Sequence, residues 1–203
     1  MNKYFKIKNI PGSLVLTLLL SLTALILYII FPSTYRFLVF LAMAFSSVGD
    51  IILMSDFKNK ISGVSKLVLG ASAFSVSHVL YFASYLQRVT KLFTEFNFGY
   101  IFSLSLFLSV LIFIISLKIK YKSNTSMLLI SVTYLFIIFL ANLSVSLYAF
   151  EYMGTAFLAL LGSISFIISD LLIGLDILAS ITKFRKYVWW FYPIGQILLI
   201  LFI

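Results

Sequence analysis

The stretch FLVFLAMAFSSVGDIILM, Phe37–Met54, is almost uninterrupted apolar side chain, broken late by one carboxylate, Asp50, directly after Gly49. Its length decides the fold. An apolar helix crosses a bilayer with roughly 17–25 residues, and this run lies in that range. Working outward, Pro11–Phe31, Leu67–Leu86, Gly99–Leu117, Met127–Phe150, Thr155–Ala179 and Val188–Ile203 read the same way, giving seven candidate spans. The last is short, and its opening Trp189-Trp190-Phe191-Tyr192 reads as an aromatic belt at the membrane interface. Turn chemistry marks the breaks at Pro32-Ser33, Asn59 to Gly63, Ser123-Asn124 and Gly154. The first run is too long for a signal peptide and lacks a small-x-small cleavage site, so it counts as a helix. With no linker, repeat or low-complexity tract, the expectation is one all-α integral membrane domain over residues 1–203.

Composition agrees. The chain is 63% hydrophobic and 10% charged, with a mean hydropathy of +1.15, whereas a soluble domain is nearer half apolar and a quarter charged. The absence of cysteine excludes disulfides, thiolate metal sites and cysteine nucleophiles. A net charge of +9 would suit nucleic acid in a soluble protein. In a membrane protein it reflects loop charges facing anionic headgroups, so no nucleic-acid partner is expected.

The placement of those charges tests the span count. With seven spans, Lys3, Lys6, Lys8, Lys58, Lys60, Lys66, Lys118, Lys120, Lys122, Lys183, Arg185 and Lys186 share one side, which is 12 of 15 basic residues. Only Arg36, Arg88 and Lys91 fall opposite. The positive-inside rule then puts the N-terminus in the cytoplasm and predicts a multi-pass protein of the cell membrane.

Five polar residues sit deep in these spans: Asp50, His78, Asn142, Asp170 and Gln196, with Asp176 nearer a helix end. An aspartate at a span's centre costs roughly 2.5–3.5 kcal/mol, and no lysine or arginine lies deep enough to neutralise either one. A desolvated carboxyl without a cation holds its proton more tightly, which makes Asp50 and Asp170 candidate acids. By helix rise, Asp50 lies about 6 Å, Gln196 about 12 Å, Asp170 about 13 Å and His78 about 16 Å from the cytoplasmic helix ends. All four are therefore expected to line one cavity open to that leaflet. Helical spacing puts Gly70, Phe74, Ser77, His78, Tyr81 and Tyr85 on one face, and Gly162, Phe166, Ser169 and Asp170 on another. A plainer reading exists for each. The aspartates can be hydrogen-bonded packing residues, with Ser169 satisfying Asp170. Gln196 and Asn142 suit interhelical hydrogen bonds, and Gly70 and Gly162 close helix approach. Two unpaired aspartates at compatible depth are what the plainer reading leaves unexplained.

Taken in order, GDIIL (Gly49–Leu53), GASAFSVSHVLYFASY (Gly70–Tyr85), GSISFIISDLLIG (Gly162–Gly174) and YPIGQILLI (Tyr192–Ile200) resemble the YhhN-like lysoplasmalogenase family of integral membrane proteins. Gly70, Phe74, His78 and Tyr81 match its middle motif, and Gly162, Phe166, Ser169 and Asp170 its later one. Family members usually show eight spans, and this chain shows seven, without the most N-terminal one. The resemblance implies hydrolysis of the vinyl ether of lysoplasmalogens to a fatty aldehyde and glycerophospho-ethanolamine or -choline, with Asp50 and Asp170 catalytic. His78, Tyr81, Ser169, Gln196 and Phe74 are the expected substrate-binding or orienting residues.

The chemistry fits independently. A vinyl ether is hydrolysed by protonation at carbon, which needs a positioned acid still protonated at neutral pH, and the resulting oxocarbenium ion needs a nearby carboxylate. Glycosidases divide the same labour between paired carboxylates. The sequence leaves open which aspartate is the acid. Neither metal nor cofactor is expected, since one histidine offers no ligand cluster. Phenylalanines and leucines would hold the alkenyl chain, and Lys58, Lys60 or Lys183 would attract the phosphate. Three alternatives stand beside this. An intramembrane aspartyl protease would need Tyr-Asp and Pro-Ala-Leu motifs that the sequence lacks. A proton-coupled transporter would use Asp and His as a relay but calls for inverted repeats and broken helices. A structural or lipid-binding protein would need no catalyst at all.

Overall fold

The structure, a computed structural model, describes residues 12–54, 63–90, 98–121, 125–179 and 181–203. The expected Asn59 and Ser123-Asn124 breaks, and Lys58 and Lys60, lie outside them. Among the described residues there are seven α-helices and no strand: α1 (Gly12–Ile30), α2 (Thr34–Met54), α3 (Gly63–Leu86), α4 (Phe98–Tyr121), α5 (Thr125–Tyr152), α6 (Ala156–Ala179) and α7 (Arg185–Leu201). Helix is what this sequence must adopt in lipid, because only a helix or a closed barrel satisfies every backbone group without water. Helices α2 to α6 are long and apolar enough to cross a membrane on their own. Helices α1 and α7 lie at the short limit, with apolar or total lengths of 17 residues, so about seven spans result.

The boundaries follow local chemistry. Pro32 follows α1, and Ser33 accepts a hydrogen bond from the Arg36 amide (3.4 Å) to cap α2. Helices α5 and α6 are joined by a tight turn in which Met153 and Gly154 both take positive φ (55° and 53°). A single 3-10 turn, Thr182–Phe184, feeds α7, which therefore begins three residues before the Val188 expected from hydropathy alone.

Helix neighbours form a ring in the order α1, α2, α3, α5, α6, α7 and back to α1, with α4 outside it against α5 and α6. The apolar surface is inverted relative to a soluble protein: Leu18, Leu22 and Ile29 on α1 and Ile101, Leu104, Leu108, Ile112 and Ile119 on α4 face outward. Such a contiguous face suits lipid and not water. With lipid outside, burying apolar surface cannot hold the bundle together, and close packing plus interhelical hydrogen bonds must do so. Both are present. A Cβ on Gly162 would stand 3.0 Å from the Gly195 carbonyl oxygen, and one on Gly195 would stand 2.9 Å from the Gly162 carbonyl oxygen, so α6 and α7 meet backbone to backbone. Ser21 and Ser47 pair at 2.7 Å between α1 and α2. Ser84 donates to the Tyr35 carbonyl (2.8 Å), and Tyr85 donates to that of Leu199 (2.8 Å). Asn142 on α5 donates to Ser163 on α6 (2.9 Å) and accepts from Ser103 on α4 (3.0 Å), which fixes α4 to the ring as the sequence reading of Asn142 expects.

Candidate functional site

The inward face of α3 carries Phe74, Ser77, His78, Tyr81 and Tyr85, all buried, as helical spacing predicts. Opposite it α6 presents Phe166, Ser169 and Asp170, α5 presents Tyr134, and α7 presents Tyr192 and Gln196. These side chains sort into three neighbouring groups.

The first surrounds Asp170. Tyr134 Oη donates to Asp170 Oδ2 at 3.0 Å and lies 3.4 Å from His78 Nε2. His78 Nε2 itself is 3.8 Å from Asp170 Oδ2, an ion-pair distance too long for a direct hydrogen bond. The imidazole is wedged edge-on between the rings of Phe166 (4.7 Å) and Tyr134 (5.8 Å).

The second surrounds Asp50, which is 5% exposed. Tyr192 Oη donates to its Oδ2 at 2.8 Å. The Tyr192 ring stands edge-on to Phe166 (5.3 Å) and Phe74 (6.1 Å), so an aromatic layer packs against the tyrosine that holds Asp50. Gly49 makes room for that layer: a Cβ there would stand 2.8 Å from the Phe74 ring.

The third is a hydrogen-bonded chain across α3, α7 and α2. Tyr81 Oη donates to Gln196 Oε1 (2.6 Å), Gln196 Nε2 donates to Ser46 Oγ (3.2 Å), and Ser46 and Ser77 pair at 2.8 Å. Every member is buried.

A cavity of about 110 Å³ opens beside the first group. Its wall draws on Leu53 at the end of α2, Leu67 to Phe74 at the start of α3, Val110 to Leu117 late in α4, Ile130 to Ile138 early in α5 and Ile167 to Gly174 late in α6. Alternate helices thus contribute opposite halves, which places the cavity at the end of the bundle where the lysine-bearing connections fall. Among its lining residues only Ser131, Tyr134 and Asp170 bring polar side-chain atoms. A separate void of about 10 Å³, lined by His78, Tyr81, Ser163 and Phe166 among others, lies behind the imidazole.

The expectation of one cavity shared by Asp50, His78, Asp170 and Gln196 is therefore met only in part. Asp170 and Phe74 line the cavity, and His78 stands behind it, one hydrogen bond removed through Tyr134. Asp50 and Gln196 are absent from its wall, where Phe74 is the aromatic residue that α3 contributes. Tyr81 lines the small void and belongs to the packed chain. Ser169 is fully buried, and its Oγ has no hydrogen-bond partner among the described residues, so Tyr134 and not Ser169 satisfies Asp170. Lys183 is exposed, its ammonium 4.7 Å over the Phe184 ring.

Sequence reasoning missed both tyrosine donors. A signal existed for each. Tyr134 stands eight residues before Asn142, and Tyr192 four before Gln196, on shared helix faces. Among 12 tyrosines, neither spacing stands out until the polar residue it accompanies is known to face inward.

No curated protein and no solved structure matches the chain. A family model described as the YhhN family matches residues 13–203, nearly the whole chain.

Proposed function

Because the chain belongs to the YhhN family, we propose that it is a lysoplasmalogenase, hydrolysing the vinyl ether of an alkenyl-glycerophospholipid by acid–base catalysis on intramembrane aspartates. One observation carries the reading: a carboxyl, Asp170, with a side chain 15% exposed, sits in the wall of a cavity that is otherwise nearly all apolar. That is the surrounding an alkenyl chain needs and the group its vinyl ether needs. Asp170 delivers a proton to the β-carbon of the vinyl ether, forming the new C–H bond and leaving an oxocarbenium ion beside the Asp170 carboxylate. Water adds to the cationic carbon, and its released proton returns to that carboxylate. The hemiacetal collapses to aldehyde and glycerol hydroxyl. The overall consumption is one water per bond cleaved.

Asp50 acts from behind the aromatic layer. In a water-poor interior, opposite charges attract far more strongly than in water, so a carboxylate one ring away favours the cation without touching it. Tyr192 holds that carboxylate in place. The headgroup lies toward the lysine-rich end of the bundle, where Lys183 stands exposed, and the membrane is the cell membrane.

The test is incubation of the purified protein with alkenyl and matched alkyl lysolipids, followed by measurement of released aldehyde. Cleavage of the alkenyl compound alone is expected. The alkyl ether has no vinyl carbon to protonate and gives no aldehyde on hydrolysis, so aldehyde released from it would refute the proton-transfer mechanism, and aldehyde from neither compound would favour the proton-coupled transporter. Asp170→Asn and Asp50→Asn are each expected to abolish release while leaving the protein folded, and undiminished turnover in either would remove that residue from the mechanism.

A further inference from the structure

We propose that His78, Tyr134 and Asp170 form a one-way donor chain in which Tyr134 is a positioning residue that decides which oxygen of Asp170 meets the substrate. The inference rests on the reading of Asp170 as the acid and adds a residue and a direction to it.

The argument is one of hydrogen counting. A tyrosine hydroxyl has one proton to donate and lone pairs with which to accept. Tyr134 Oη has two polar neighbours, Asp170 Oδ2 at 3.0 Å and His78 Nε2 at 3.4 Å. Its proton goes to Asp170 Oδ2, the nearer acceptor, which can accept while the other carboxyl oxygen carries the acid proton. His78 must then donate, so its proton sits on Nε2. The chain runs from His78 Nε2–H to Tyr134 Oη, and from Tyr134 Oη–H to Asp170 Oδ2.

Two consequences follow. His78 reaches Asp170 only through Tyr134, because the direct separation of 3.8 Å is beyond hydrogen-bonding range. Oδ2 is occupied by the tyrosine, so Oδ1 is the oxygen left to carry and deliver a proton into the cavity. Among the cavity's lining residues the other polar side chain is that of Ser131, one turn before Tyr134 on the same helix. The edge-on ring contacts on His78 from Phe166 and Tyr134 hold the imidazole against rotation, which keeps Nε2 aimed at the hydroxyl.

The chain has a single histidine, so imidazole ¹⁵N labelling reports on His78 without assignment. In protein reconstituted at neutral pH, the proton is expected on Nε2, and Tyr134→Phe is expected to move that resonance while the variant still unfolds cooperatively. A proton on Nδ1, or an Nε2 signal identical in Tyr134→Phe, overturns the chain. In the aldehyde assay, loss of a hydrogen bond to a charged group should lower kcat of Tyr134→Phe about 10–100-fold with KM nearly unchanged. A double-mutant cycle with His78→Ala completes the test: once Tyr134 is Phe, removing His78 should cost no more than about twofold. Fully additive losses would mean that His78 acts by another route. Wild-type protein that releases no aldehyde would defeat the enzymatic reading alone, and the imidazole measurement would still decide the chain.

Discussion

Gly195→Ala isolates the contact that carries α7, and with it Tyr192 and Gln196, to the site. The new Cβ would stand 2.9 Å from the Gly162 carbonyl oxygen and 3.1 Å from the Phe166 amide nitrogen, where ordinary contact begins at 3.4 Å. Both obstructing atoms are backbone, so no side chain can rotate away, and the helices must part by a few tenths of an ångström. Overpacking of this kind costs about 1–3 kcal/mol. Alanine's better helix propensity offsets up to about 1 kcal/mol of that, which would blur a comparison with wild type. Gly174→Ala on α6 removes the ambiguity: it makes the same chemical change in a helix interior with nothing within 4 Å of the new Cβ. The propensity gain cancels between the two variants and leaves the clash. The difference should be about 1–3 kcal/mol, roughly a 5- to 150-fold difference in the folding equilibrium. Reversible unfolding of both variants in mixed micelles titrated with a denaturing detergent measures it. Equal stability of Gly195→Ala and Gly174→Ala would refute the backbone-to-backbone packing of α6 on α7.

Tyr192→Phe keeps the ring against Phe74 and Phe166 but removes the donor to Asp50; aldehyde release should fall about tenfold with stability changed by no more than about 1 kcal/mol, as read by paired turnover and melting curves. Gln196→Leu strands the buried hydroxyl of Tyr81, takes one of the two partners of Ser46, and should cost about 1–3 kcal/mol in the same unfolding titration. Ile114→Trp puts an indole into the cavity of about 110 Å³ and should raise KM for long-chain substrate more than it lowers kcat, measured across a chain-length series.

Hydropathy made the helices legible, because in lipid the length of an apolar run and the helix that fills it are nearly the same quantity. The Phe74–His78–Tyr81–Tyr85 face was equally plain, since three- and four-residue spacing fixes a helix face whatever lies across from it. What lies across is where reading the sequence stopped. Depth along a helix axis put Asp50 on the same side of the bundle as the others, but depth says nothing about which way a side chain turns, and Asp50 pairs with Tyr192 away from the cavity wall. The partner of Asp170 was sought next door at Ser169, yet it comes from Tyr134, 36 residues away on another helix. Consecutive helical residues point about 100° apart, so Ser169 was poorly placed for the task from the outset.

The oily wall around Asp170 also bears on how turnover must be counted. A molecule that matches such a lining dissolves in the bilayer and not in the buffer, so the protein meets it as a two-dimensional solute. Diluting a fixed amount of substrate with inert phospholipid should slow the reaction, whereas diluting the whole vesicle suspension with water should leave the turnover number unchanged. On the proposed reaction, the aldehyde would stay with the membrane while the water-soluble glycerophosphodiester diffuses away.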